Sequence, residues 1–151
     1  MTSRRRKPVE KVSIPKGEEF VSLPFVTFIK KRCEKFNVLF LLSLDKDIYR
    51  DGDPCDGFFE APNKGDSGIL VICIGKELNE VLHTIAHEFT HLLQWYEDDP
   101  LYLAWEKKPN EKNTFNLEVE TERRALELLK EWGHYNDEAQ SRSDKYIKSI
   151  K

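Results

Sequence analysis

Apolar residues of this chain are grouped in short runs separated by polar turns, a pattern that predicts an α+β domain. The three runs compact enough to form strands cover residues 38–44, 57–61 and 68–74. A turn at 62–66 is expected to join the last two as a hairpin. The stretch 45–56 contains Asp51-Gly52-Asp53-Pro54 and is predicted to be a loop. We therefore expect a small three-stranded mixed sheet.

Longer amphipathic segments predict helices around this sheet. A helix is predicted over 25–35 because a proline stands just before it. A long helix is predicted over 79–97, and another over 116–132, where Gly133 is suited to be the C-terminal cap. The stretch 100–113 is predicted to be a loop or a short helix. The residues after 133 are polar and charged, and we read them as a tail.

The first twenty residues differ from the remainder in composition. They are rich in charge and include the basic run Arg4-Arg5-Arg6-Lys7, so residues 1–20 are predicted to form a flexible basic arm. Residues 21–151 are predicted to form a single domain. The formal net charge is only −3, which argues against a nucleic-acid-binding protein. A weak contact of the arm with nucleic acid or an acidic partner is the alternative.

Composition also bears on the compartment. The chain has no apolar run of about 20 residues, the length that a membrane span needs. Its N-terminus lacks the apolar region of a secretory signal. The three cysteines are odd in number and form no CxxC pair, which argues against a disulfide framework and against a thiolate zinc site. Cys73 stands in an apolar run and is expected to be buried. A reducing, cytoplasmic location is therefore expected.

The segment His87-Glu88-Phe89-Thr90-His91 lies within the predicted helix 79–97 and has the spacing HExxH. Residues four apart lie on one face of a helix, so the two imidazoles can bind a single metal ion. Glu88 is rotated by about 100° from His87 and can reach a water on that metal. The residues expected on the opposite, apolar face are Leu78, Val81, Leu82, Ile85, Phe89, Leu92, Leu93 and Tyr96.

Two further polar residues lie on the histidine side of this helix. His83 stands about 12 Å along the helix axis from His91, too far to bind the same ion. A structural or solvent-facing role is expected for His83, with a position lining the cleft as the alternative. Gln94 follows His91 by three residues and could orient a ligand or contact a substrate.

Carboxylates fall on the apolar face of a second helix. Within 116–132, Glu118 and Glu122 project among the residues expected to face the core. A buried carboxylate without a partner is unfavourable by several kcal/mol, and a metal with two histidines would supply that partner. The alternative is that the first turn of this helix is exposed to solvent, since the helix dipole favours acidic residues at a helix N-terminus.

HExxH followed by a glutamate on a later helix resembles the gluzincins, the thermolysin-like branch of zinc peptidases. The small size, the hairpin before the motif helix and the glutamate helix are similar to the ImmA/IrrE-like peptidases. The resemblance covers roughly residues 22–133. It implies a minimal zincin-like domain, with the sheet packed against the HExxH helix, an N-terminal helix and a C-terminal glutamate-bearing helix.

The resemblance implies one Zn²⁺ per chain, bound by His87 and His91, and two ways of choosing the third ligand. In the preferred one Glu118 is the ligand, Thr121 is the small residue of the family pattern, and Glu122 accepts a histidine N–H as an outer-shell residue. In the other, Glu122 is the ligand and Ala125 the small residue, but the residue after Ala125 then departs from the pattern.

The activity implied by the resemblance is hydrolysis of peptide bonds in an intracellular protein or peptide, with zinc-activated water and Glu88 as general base. An extended substrate could pair with an edge strand, either 57–61 or 68–74. Candidate donors to the oxyanion are Tyr96, Tyr102, His134 and Tyr135. One alternative is a zinc-containing binding or regulatory module with little or no peptidase activity. Another is a metal-free interaction protein.

Overall fold

The computed structural model describes residues 20–150, and residues 1–19 and 151 lie outside the described part. The predicted basic arm, including Arg4-Arg5-Arg6-Lys7, therefore lies outside the described residues except for its last residue. That residue, Phe20, is fully buried in the hydrophobic core.

In the described residues one helix is followed by five strands and then by four helices, the segregated order typical of an α+β chain. The helices are α1 (Pro24–Lys35), α2 (Leu78–Glu97), α3 (Pro100–Lys107), α4 (Glu111–Glu131) and α5 (Asp137–Ser149). The strands are β1 (Val38–Ser43), β2 (Ile48–Arg50), β3 (Asp53–Cys55), β4 (Gly57–Glu60) and β5 (Gly68–Cys73). The three predicted main helices are confirmed, although α4 begins five residues before position 116. Gly133 follows α4 with φ 79°, the left-handed conformation suited to a cap.

The main sheet has three strands in the order β1–β5–β4. Strand β1 runs parallel to β5, and β4 pairs antiparallel with β5 from the other side. The predicted mixed sheet and its hairpin are therefore confirmed. Because β5 is the central strand, segment 68–74 was wrong as a candidate edge for substrate pairing, and β4 is the edge strand on that side.

The predicted loop 45–56 contains a second, two-stranded ribbon made of β2 and β3. Asp51 and Gly52 form its turn and have φ of 54° and 86°. Asp-Gly favours this turn because both positions of a two-residue hairpin loop need positive φ. The sequence did not predict this ribbon because Pro54 lies in β3, and a proline within a short run argues against a strand.

The polar tail after residue 133 was also wrongly assigned, because it contains helix α5. The Asn136 side chain caps this helix by accepting a hydrogen bond from the backbone N–H of Ala139. Ala139 and Ser143 are the buried residues of α5, and both are small. A helix that buries such small side chains gives almost no apolar periodicity, which explains why the sequence did not predict it.

Helix α2 contacts the sheet, α3, α4 and α5. The predicted apolar face of α2 is confirmed in its centre, where Val81, Leu82, Ile85, Phe89 and Leu92 are all buried. The prediction was wrong for Tyr96, which is 58% exposed and packs on Phe36. Among residues 20–150, no helix is long and apolar enough to cross a membrane. Cys73 is buried, as predicted, and the cysteines are free thiols.

Phe25 joins α1 to the end of α4 and is fully buried against Trp132 and His134. Replacing Phe25 with alanine should lower the free energy of unfolding by about 3–5 kcal/mol, because it leaves a cavity in the core. Urea denaturation measures the change. Leu44→Ala is the control, since Leu44 is 82% exposed and should change stability by at most about 0.5 kcal/mol. A loss for Phe25→Ala no larger than this control would contradict the packing.

Candidate metal centre

Helices α2 and α4 pack together and bring two histidines to one carboxylate. Glu118 Oε1 lies 3.1 Å from Nε2 of His87, and Glu118 Oε2 lies 3.1 Å from Nε2 of His91. The two imidazole rings stand almost perpendicular, with centroids 4.9 Å apart. These three residues form a group whose ligand atoms could surround one metal ion.

The other ring nitrogen of each histidine has its own partner. His87 Nδ1 lies 2.5 Å from Glu122 Oε2, and His91 Nδ1 lies 2.9 Å from Gln94 Oε1. A carboxylate and an amide oxygen can only accept, so each Nδ1 carries a proton. In the neutral imidazoles, both Nε2 lone pairs then face Glu118.

Gln94 is oriented by a third contact. Its Nε2 donates to Thr121 Oγ1 at 3.0 Å, and Thr121 donates to the backbone oxygen of Leu117 at 2.7 Å. These bonds turn the Gln94 oxygen toward His91. Gln94 therefore orients a candidate ligand, one of the two roles expected for it. Thr121, the small residue three positions after Glu118, therefore holds the Gln94 amide in place.

The spacing and the donor types fit a zinc ion. Two ligands held about 2.05 Å from a tetrahedral zinc stand about 3.3 Å apart. The separations of 3.1 Å between each Nε2 and its nearer Glu118 oxygen are close to that value, and the ligand atoms of the three residues all lie within 4.8 Å of one another. A carboxylate facing two imidazole lone pairs is repelled unless a proton or a metal ion lies between them. Imidazole nitrogen and carboxylate oxygen are common zinc ligands, so His87, His91 and Glu118 would hold the metal.

Ionisation of the two glutamates agrees with this arrangement. Burial alone would raise the pKa of Glu118, but the close contacts with His87 and His91 outweigh it and lower the pKa. The pKa of Glu122 is lowered in the same way, because hydrogen bonds with His83 and His87 outweigh the effect of burial. Burial opposes the charged form of His87, yet Glu118 and Glu122 raise its pKa well above the usual value. The site therefore favours a cation.

Glu88 differs from these two glutamates in its environment. Burial raises the pKa of Glu88, and the nearby His87 and His91 oppose that rise only in part. Its carboxylate lines the same cavity as His87, about 590 Å³ in volume, between β4, α2 and α5. Gly57 places the start of β4 on the wall of this cavity. The geometry leaves Glu88 free to meet a water or a substrate there.

No family model, curated protein or solved structure matches this chain. The resemblance to gluzincins and ImmA/IrrE-like peptidases therefore stays a prediction. It depends on the HExxH segment and on Glu118, which geometry favours as the third ligand. The oxygens of Glu122 instead face Nδ1 of His87 and Nε2 of His83, as an outer-shell acceptor would.

His83 lies away from the predicted ligand position. It is only 7% exposed, and its Nε2 lies 3.0 Å from Glu122 Oε1. Its Nδ1 accepts from Arg142 Nε at 3.2 Å. His83 is therefore held inside the protein by two hydrogen bonds, and it also lines the cavity.

Of the four predicted oxyanion donors, Tyr102 contacts a site histidine, with its ring centroid 6.4 Å from that of His91. The other three lie against other residues. Tyr96 packs on Phe36, His134 packs on Phe25, and Tyr135 donates to Gln140.

Sequence reasoning missed Tyr146, which helix α5 brings to the site. Its hydroxyl donates to Glu118 Oε1 at 2.5 Å, and its ring stands edge-on to His87 with centroids 5.7 Å apart. The available signal was weak. Asn136 is a suitable helix cap, and Ala139, Ser143 and Tyr146 follow at helical spacing.

Replacing Glu118 and Glu122 with alanine, one at a time, should separate their roles. Glu118→Ala removes a ligand and should abolish stoichiometric zinc binding. Glu122→Ala removes the acceptor of His87 and His83 but no ligand, and should weaken zinc affinity by about 10–100-fold. Metal content after dialysis and chelator competition measure both effects. Glu120→Ala is the control on the same helix, because Glu120 pairs with Arg123 instead of the histidines. Full zinc occupancy in Glu118→Ala would exclude Glu118 as a ligand.

Proposed function

We propose that this protein is a zinc-dependent metallopeptidase that hydrolyses peptide bonds in a protein or peptide substrate. The observation that carries the proposal is the position of Glu118 between the Nε2 atoms of His87 and His91, beside a cavity that Glu88 lines. Three protein ligands leave a further position for water, as in catalytic zinc sites.

The metal supplies Lewis acidity and lowers the pKa of water toward neutrality. The protein supplies the base. Glu88 accepts the proton of the attacking water and then delivers it to the leaving amine. A carboxylate whose pKa is raised by burial suits both steps, because it holds a proton more readily than an exposed glutamate.

The substrate backbone is expected to extend along β4. Among the described strands, β4 pairs only with β5, so its other edge can accept an extended peptide. Gly57 at the start of β4 and Glu88 on α2 line the same cavity. A peptide paired there would bring one of its carbonyl groups near Glu88.

Tyr146 is the proposed donor to the oxyanion that forms when water adds to the carbonyl. Burial and the neighbouring Glu118 raise the pKa of Tyr146, so its hydroxyl keeps its proton. The hydroxyl donates to Glu118 Oε1, and to act in the reaction it would turn from that oxygen to the substrate oxygen. A neutral hydroxyl held in place can stabilise developing negative charge.

Replacing Glu88 with glutamine should abolish peptide hydrolysis and leave zinc bound, because the change removes the base and keeps the ligands. A mixed peptide library read by mass spectrometry measures cleavage, and metal analysis measures zinc. The wild type with chelator, then with zinc restored, is the control for metal dependence.

Two results would contradict this reading. Unchanged hydrolysis by Glu88→Gln would exclude Glu88 as the base. A wild type that holds stoichiometric zinc and cleaves nothing in the library would favour the zinc-containing binding or regulatory module.

Replacing Tyr146 with phenylalanine should lower kcat by about 10²–10³, the usual effect of losing an oxyanion donor. KM should change little. Tyr96→Phe is the matched control, because Tyr96 is 58% exposed and packs on Phe36. Equal kcat values for the two variants would remove Tyr146 from the reaction.

A further inference from the structure

Hydrogen bonds continue from the candidate metal ligand His87 to helix α5. Glu122 Oε2 lies 2.5 Å from His87 Nδ1, and Glu122 Oε1 lies 3.0 Å from His83 Nε2. His83 Nδ1 in turn lies 3.2 Å from Nε of Arg142. The side chains of His83, Glu122 and His87 are 9%, 7% and 13% exposed, so bulk water competes little for these bonds.

The order of protons along this chain of contacts follows from Arg142. A guanidinium is always protonated and can only donate, so Nδ1 of His83 must accept. The proton of neutral His83 is then on Nε2 and is donated to Glu122. The other oxygen of Glu122 is left to accept the Nδ1 proton of His87. Each contact therefore helps to keep the proton of neutral His87 on Nδ1, so that its Nε2 lone pair faces Glu118.

Arg142 is itself held in place. Its Nη2 donates to the backbone oxygen of Asn79 at 3.3 Å, which ties α5 to the first turn of α2. Among the described residues Arg142 makes no direct ion pair with a carboxylate, and the acid nearest along its hydrogen bonds is Glu122, reached through His83. Its guanidinium is therefore used to orient an imidazole.

We propose that Arg142 and His83 are positioning residues that set the tautomer and orientation of His87 through Glu122, so that helix α5 tunes metal affinity. The inference rests on the proposed metal centre. Neither residue touches the metal position. Loss of either one would leave an oxygen of Glu122 or a nitrogen of His83 without its partner, and Glu122 could then turn away from His87.

Replacing Arg142 with methionine tests this chain of contacts, since it keeps much of the side-chain length and removes every donor. Zinc affinity, measured by competition with a chelator, should fall by about tenfold, the lower end of effects from outer-shell partners. The Nδ1 proton of His87 in the zinc-loaded protein should exchange with water faster, which nitrogen-edited NMR measures. Arg142→Lys keeps one donor and should recover part of the affinity.

Lys145→Met is the matched control, because Lys145 lies on the same helix and the same cavity wall, outside the chain of contacts. It should keep the wild-type zinc affinity. His83→Leu should weaken zinc binding at least as much as Arg142→Met does. The double variant should bind no more weakly than His83→Leu alone, because both changes break one chain of contacts.

Equal zinc affinity in Arg142→Met and Lys145→Met would overturn the inference, and so would fully additive effects of His83→Leu and Arg142→Met. Thermal unfolding checks that each variant is folded. If Arg142→Met does not fold, Arg142→Lys and His83→Gln provide the same comparison with Lys145→Met. A wild type that binds no zinc would overturn the proposed metal centre and this inference together. If the wild type binds zinc and Arg142→Met binds it equally well, only the inference about Arg142 fails.

Discussion

The packing of α2 against α4 depends on two carboxylates of α4 that point into the protein. Glu118 and Glu122 lie on the face of α4 that packs against α2, where an ionised group without partners would be unfavourable by several kcal/mol. Their four oxygens are met by four imidazole nitrogens of three histidines. Two of those contacts hold the outer nitrogens of His83 and His87, and the other two define a place for a cation. The packing of α2 against α4 and the candidate metal centre therefore share one interface.

The surrounding fold keeps this interface fixed. Helix α2 is covered by the sheet, by α4 and by α5, so its histidine face is open mainly toward the cavity at β4. Gln94 and Thr121 link α2 to α4 beside His91, and Arg142 links α5 to α2 beside His83. Each candidate ligand is thus supported by a second residue on another turn or helix. Such support is what holds a site in a working geometry.

Local sequence patterns predicted much of the fold and of the candidate site. The parts that they missed depend on contacts between residues far apart in the chain. The three strands of the main sheet, the three predicted main helices and the inward position of Glu118 and Glu122 follow from periodicity, which is visible in the sequence. Arg142 meets His83 across 59 positions of the chain, on a helix whose buried residues are small and polar enough to show no apolar stripe. The sequence therefore predicted the ligand candidates and missed the residues of α5 that support them.

The three glutamates of the site can be assigned to different roles from their surroundings alone. Close contacts with histidines lower the pKa of Glu118 and Glu122, which favours the ionised form of both. His87 and His91 lower the pKa of Glu88 only in part, and burial raises it. Groups whose surroundings push their pKa values apart are suited to separate tasks. A carboxylate with a lowered pKa is a good ligand or acceptor and a poor carrier of protons. Of the three, Glu88 is therefore the one suited to take a proton and return it.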